Sequence, residues 1–105
     1  MVTVTPRAAE QVRRSAELND AHGLALRIQV RRRPDGSLAY QMGFDTPTAA
    51  DQTSVSEGVT VAVDPQSGPL AEQLVLDYEE RPELPDGGEF LFLNPLDVPG
   101  GANPG

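Results

Sequence analysis

The side chains able to do chemistry in this 105-residue sequence are few in kind: sixteen carboxylates, eight arginines, one histidine, no lysine and no cysteine. The lack of cysteine excludes disulfides, zinc ribbons, thiol catalysis and all-thiolate iron–sulfur sites together. His22 follows a helical run and sits beside Gly23 in a polar turn. A lone histidine in that setting reads as an exposed side chain and not as a ligand or a base. Asp77, Glu79, Glu80, Glu83, Asp86 and Glu89 gather oxygen ligands that a hard cation would accept. They lack the D-x-D-x-D-G spacing of a calcium loop, so a solvated acidic face is the plainer reading. Arg31, Arg32 and Arg33 form the one basic run. Such a run meets phosphate or an acidic partner, or else ends a solvated strand and pairs within its own chain. Asp35 lies in Pro34-Asp35-Gly36, where a turn fully accounts for it.

Enzyme motifs are missing. There is no G-x-S-x-G, H-E-x-x-H, P-loop or G-x-G-x-x-G. Ser37, Ser54, Ser56 and Ser67 have only His22 as an imidazole to activate them. No catalytic residue and no metal ligand is assigned, and the chain is expected not to be an enzyme.

The elements that position these groups are mostly strands. Val2 and Val4 alternate with Thr3, and Thr5-Pro6 then opens a helix over 6–19, with threonine as cap and proline at the first helical position. Ala9, Val12 and Ala16 mark its apolar side. From Leu24 the period changes to two: Leu24, Leu26, Ile28 and Val30 share a face, and so do Leu38, Tyr40, Met42 and Phe44. Pro34-Asp35-Gly36 between them predicts a β-hairpin with a type I turn and a glycine bulge. Residues 45–57 read as a surface connection with at most a short strand near Val55. Val59, Val61 and Val63 form a strand, Gly68-Pro69 restarts a short helical segment to about Gln73, Leu74, Leu76 and Tyr78 alternate, and Phe90 to Leu93 is a last strand. Tyr40, Met42, Phe44, Tyr78, Phe90 and Phe92 are expected in the core with the aliphatic residues. The fold class is mainly β (α+β), a β-sandwich or pseudo-barrel with an N-terminal helix, spanning residues 1–95, and a flexible Pro/Gly-rich tail is expected over 96–105.

Net charge is −8. That charge repels a phosphate backbone and an anionic leaflet, so neither nucleic acid nor membrane is an expected partner. The N-terminal residues lack the basic start and apolar run of a signal peptide, and a cytoplasmic location is expected.

The segments VTVTPRAAEQV (2–12), LRIQV (26–30), LAYQMGFD (38–45), GVTVAVDPQS (58–67), LVLDYEE (74–80) and FLFLNP (90–95) resemble, in order and spacing, the HesB-like or IscA-like family of A-type iron–sulfur carriers. The resemblance covers nearly the whole chain. It implies a β-rich pseudo-barrel, a role in iron–sulfur cluster assembly or delivery, partners among iron–sulfur assembly proteins, and a homodimer or higher assembly. In that family one cysteine follows the strand matched by LRIQV, and two more form a C-terminal Cys-Gly-Cys. The matching positions here are Asp35, Gly101 and Asn103. None supplies sulfur and none is expected to ligate, so no cofactor is expected. Three functional readings stand at this point: a cysteine-free relative acting through protein contacts, a handler of mononuclear iron or another hard metal through oxygen ligands, and an unrecognised enzyme.

Overall fold

Thr5 both ends the first strand and starts the first helix. Its hydroxyl accepts the Ala8 N–H at 3.2 Å and donates to Asp77 Oδ1 at 2.7 Å. The structure, a computed structural model, describes residues 1–85 and 87–97. Strand β1 (Thr3–Val4) leads through Thr5 into helix α1 (Pro6–Leu18), whose buried residues are Ala8, Ala9 and Val12. Small residues on that stripe let the helix lie close against the strands. Asn19 closes it, its side-chain amide donating to Ser15 O at 2.8 Å.

Then follow β2 (Ala25–Arg32), β3 (Leu38–Asp45), β4 (Gln52–Ser56), β5 (Val59–Val63), the short α2 (Gly68–Ala71), β6 (Val75–Glu80) and β7 (Gly88–Leu93). They form two sheets. The larger has the order β3-β2-β5-β4 and the smaller β1-β6-β7. The hairpin β2–β3 is antiparallel, with Ile28 opposite Met42 and Val30 opposite Tyr40. The pairings β2–β5 and β1–β6 are parallel, which hydrophobic alternation alone does not reveal. The expected surface connection thus contributes a full edge strand, β4, although Val55 on it stays 65% exposed.

The core lies between the sheets and under α1. Val2, Val4, Ile28, Val30, Val61, Leu74 and Leu76 are its most enclosed members. Tyr40, Met42, Phe44, Phe90 and Phe92, expected at its centre, are only half-buried and pack on its flank. The reason is topological: β3 and β7 are edge strands, so their inward-facing rings have neighbours on one side only. Tyr40 stacks on Phe92 across this flank, with centroids 4.5 Å apart, and Tyr78 meets Phe90 edge-on. On the opposite flank the sheets are tied together, because the Val4 N–H donates to Ser56 Oγ at 2.9 Å.

Of the expected tail, Leu96 and Asp97 are described. The Asp97 carboxylate accepts the Leu38 N–H at 3.0 Å. The rest, with Gly101 and Asn103, lies outside the described residues.

Candidate functional site

The hairpin turn holding Asp35 is the first place to look. The Arg33 N–H donates to Ser37 O at 2.8 Å, and the Gly36 N–H donates to Arg33 O at 2.9 Å. Gly36 has φ +92°, the left-handed conformation that makes glycine the apt residue there. Asp35 Oδ1 accepts both the backbone N–H and the hydroxyl of Ser37, at 2.9 and 2.6 Å. Those two donors hold the Asp35 carboxyl below its ordinary range. Arg32 covers Gly36 O at 2.7 Å, and Arg33 approaches Ser37 Oγ at 3.3 Å. The expected type I turn with its glycine bulge is present, and its polar groups satisfy one another.

Arg31 leaves the basic run and turns inward. It donates to Ser67 Oγ at 2.6 Å and to Asp64 Oδ2 at 3.0 Å. Ser67 Oγ, fully buried, also accepts the Val30 N–H at 2.8 Å and donates to Asp64 Oδ1. Burial alone would raise the Asp64 pKa; the hydrogen bonds from Ser67 and Arg31 outweigh it and hold the carboxyl low. This network binds the start of α2 to β2. In the sequence Ser67 reads only as a hydroxyl with no imidazole but His22 to activate it; its spacing three residues after Asp64 was the available signal.

The acidic run divides. Asp77 is no part of a solvated face. Arg7 grips it with two bonds of 2.7 and 2.8 Å, Thr5 donates to it as well, and only 15% of its side chain is exposed. Arg7 first, then Thr5, hold its carboxyl far below the usual range. Glu79, Glu83 and Glu89 instead surround Arg81 at 3.6–3.8 Å. Asp86 lies outside the described residues. A second enclosed pair, Arg27–Asp51, joins β2 to the segment before β4 at 2.9 and 3.0 Å, with the Asp51 side chain fully covered. Arg27, followed by Thr48, holds Asp51 far below its ordinary range. His22 is exposed on the rim of an open cleft of about 470 Å³ between the end of α1, Leu26 and Phe44. Among the described residues, no three His, Asp or Glu side chains stand close enough to hold a metal ion.

No protein-family model matches the chain. Over 92 residues it is 34% identical to the iron–sulfur cluster insertion protein ErpA of Pseudomonas savastanoi pv. phaseolicola, a match covering 87% of this chain and 77% of that protein. The chain belongs to the A-type iron–sulfur carrier family. The crystal structure of IscA with its [2Fe–2S] cluster superposes with a TM-score of 0.76 at 33% identity, over 90% of this chain and 86% of the other. Escherichia coli SufA has a TM-score of 0.71 at 22% identity, over 90% and 80%, and supports the fold alone. The fold expected for this A-type carrier relative, mostly β with an N-terminal helix, is the fold observed.

A cluster is cargo in this family, and the residues here do not fit the family's way of holding it. The chain has no sulfur nucleophile, and thiolates are the donors that iron of a cluster ordinarily requires. Asp35, the described one of the three positions that the resemblance matches to the family's cysteines, accepts both the backbone N–H and the hydroxyl of Ser37.

Proposed function

We propose that this chain is a cysteine-free member of the A-type carrier family that serves iron–sulfur cluster assembly through contacts with other assembly proteins and does not carry the cluster itself. The observation supporting it best is the 33–37 turn. Where the family places a ligand, this chain has a closed five-residue loop around an aspartate already bonded to its own backbone. The competing reading, a hard metal held by oxygen ligands, draws on Asp35 and the acidic run. Asp35 is committed to Ser37, Asp77 to Arg7, and Arg81 stands among Glu79, Glu83 and Glu89, so among the described residues that reading has no ligand set in its favour. An enzymatic role has none either.

The proposed partners are iron–sulfur assembly proteins of the cytoplasm, met protein to protein. No helix among the described residues is long and apolar enough to cross a membrane. Affinity capture from a native bacterial lysate, with mass spectrometry of the bound proteins and metal analysis of the bait, tests the reading. Enrichment of known assembly proteins on an iron-free bait is the expected result. A bait carrying stoichiometric iron, or one that enriches no assembly protein, contradicts it.

A further inference from the structure

The two ends of the large hairpin are finished differently. At the turn end the inward-facing residues Val30 and Leu38 are enclosed, at 0% and 3% exposure, and Asp97 caps the Leu38 N–H. At the other end, where α1 finishes and β2 begins, the inward row opens to solvent. Leu26 and Ile28 are enclosed, but Leu24, which continues their row in the sequence, is 42% exposed. Phe44, opposite Leu26 across the hairpin, is half-buried. Leu24 and Phe44 both line the open cleft of about 470 Å³, and Val12 and Pro47 extend its apolar lining. A cleft of that size is in the range that holds a small molecule. Filling it would cover apolar surface that the chain itself leaves in water.

A positioned cation lines the same cleft. Glu57 and Gly58, at φ +51° and +78°, form the two-residue turn between β4 and β5, where Ser56 pairs with Val59. That turn presents the Glu57 carbonyl to α1, and Arg13 Nη1 donates to it at 3.1 Å. The opposite edge of the guanidinium, Nε with Nη2, has no acceptor among the described residues. That edge is the one that grips a carboxylate with two parallel bonds. The other arginines of α1 pair with carboxylates, Arg7 with Asp77 and Arg14 with Glu10. Among the described residues Arg13 pairs with none, in a chain that has sixteen carboxylates for eight arginines. Arg32 and Arg33 pair with none either, but their donors go to the 33–37 turn.

We infer that this cleft binds a small apolar monocarboxylate, its carboxylate held by the free edge of Arg13 and its hydrocarbon body lying on Leu24, Leu26 and Phe44. This goes beyond contacts with assembly proteins and does not depend on them. Each part of the ligand answers a part of the cleft. The Nε–Nη2 edge matches a planar carboxylate in shape and charge. Glu17, one helical turn on from Arg13, lines the cleft as well and repels a second negative charge. A phosphate monoester or a dicarboxylate is thereby disfavoured, and the overall charge of −8 acts in the same direction. The apolar lining supplies most of the affinity, because an exposed ion pair alone contributes little. The carboxylate supplies the selectivity, since an alcohol of the same length forgoes the two charge-assisted bonds.

The test titrates the full chain with octanoate, and with octanol as its uncharged match. Calorimetry reads the affinity, and amide chemical shifts read the place. The expected result is saturable one-to-one binding of octanoate at millimolar concentration or below, with the largest shifts at residues 22–26 and 57–60. Octanol should bind about tenfold more weakly or worse, and Arg13→Gln should weaken octanoate by a similar factor. Arg14→Gln removes the same charge from α1, but Arg14 pairs with Glu10 and lines no part of this cleft. It should bind octanoate as the unaltered chain does. Arg13 is exposed on α1, so its variant is expected to be folded by circular dichroism; if it is not, the comparison of octanoate with octanol decides alone. Octanoate that does not saturate at millimolar concentration overturns the inference. So does octanol that binds as tightly, a set of shifts elsewhere on the chain, or a folded Arg13→Gln that binds as well as Arg14→Gln. None of these results bears on capture of assembly proteins, which is read separately.

Discussion

The 33–37 turn and the edge of β3 that runs on from it are continuous in sequence and treat their polar groups in opposite ways. In the turn, Asp35, Ser37, the Arg33 N–H and the Gly36 N–H are all paired with one another. Along the edge, the N–H and C=O groups of Tyr40, Met42 and Phe44 face outward beside half-buried rings. A loop whose donors and acceptors are satisfied has nothing to offer a ligand, whereas an unpaired edge is a template for another strand. The difference puts satisfied polar groups in the turn and unpaired backbone beside apolar surface along β3.

The largest expected effect comes from cutting beneath both regions. Ile28→Ala removes a fully enclosed side chain of the strand that supports turn and edge alike, and should cost about 2–5 kcal/mol by denaturant titration. Phe92→Ala, on the open flank, should cost less than the ~3–5 kcal/mol of a fully buried ring. Equal costs would show that the flank is as closed as the core.

Gly88→Ala probes the same flank by addition. A Cβ there would overlap both the Tyr78 phenol and the Glu79 carbonyl oxygen, so the substitution is expected to destabilise by about 1–3 kcal/mol through forced repacking. An unchanged midpoint would mean that both Tyr78 and the β6 backbone at Glu79 yield without cost.

Ser37→Ala tests the turn. Ser37 is buried, and losing its hydroxyl bond to Asp35 should cost about 1 kcal/mol. A neutral result would mean that the turn holds without its internal bonding.

The mildest perturbation is acid. Asp51 and Asp77 are depressed in the folded state by Arg27 and Arg7, each held well below its unfolded value. Their stabilising contribution is therefore present above the unfolded carboxylate pKa of about 3.9 and is lost as pH falls through that value toward the folded one. Thermal midpoints should be flat near neutrality and fall below about pH 4, and Asp77→Asn should shallow that fall. A midpoint that rises on acidification would contradict the sign.

Much of this was legible in the sequence because it is local. Thr5-Pro6 gave the helix start, Pro34-Asp35-Gly36 the turn type, and period-two runs the strands of the large hairpin. What escaped was set by strands distant in the chain. Alternation shows that Tyr40 and Phe92 face inward but not that both strands lie at edges, so their burial was overstated. Arg31 read as part of a basic run, yet its partners Asp64 and Ser67 are brought to it by the parallel β2–β5 pairing. Asp77 read as one acid among several because Arg7, its partner, sits at the far end of the chain. Asp35 read as a turn residue from its immediate neighbours alone, and the 33–37 hydrogen bonds form that turn.

The most direct test of the central claim, that the carrier scaffold persists here without the carrier's ligand chemistry, is anaerobic reconstitution with iron and sulfide followed by desalting and absorbance from the ultraviolet through the visible. The chain offers no thiolate and a single imidazole, and the matched turn is closed on itself. A colourless protein without stoichiometric iron or sulfide is the predicted result. A stable brown species with iron and sulfide near one cluster per pair of chains would contradict the account and return the protein to cluster carriage.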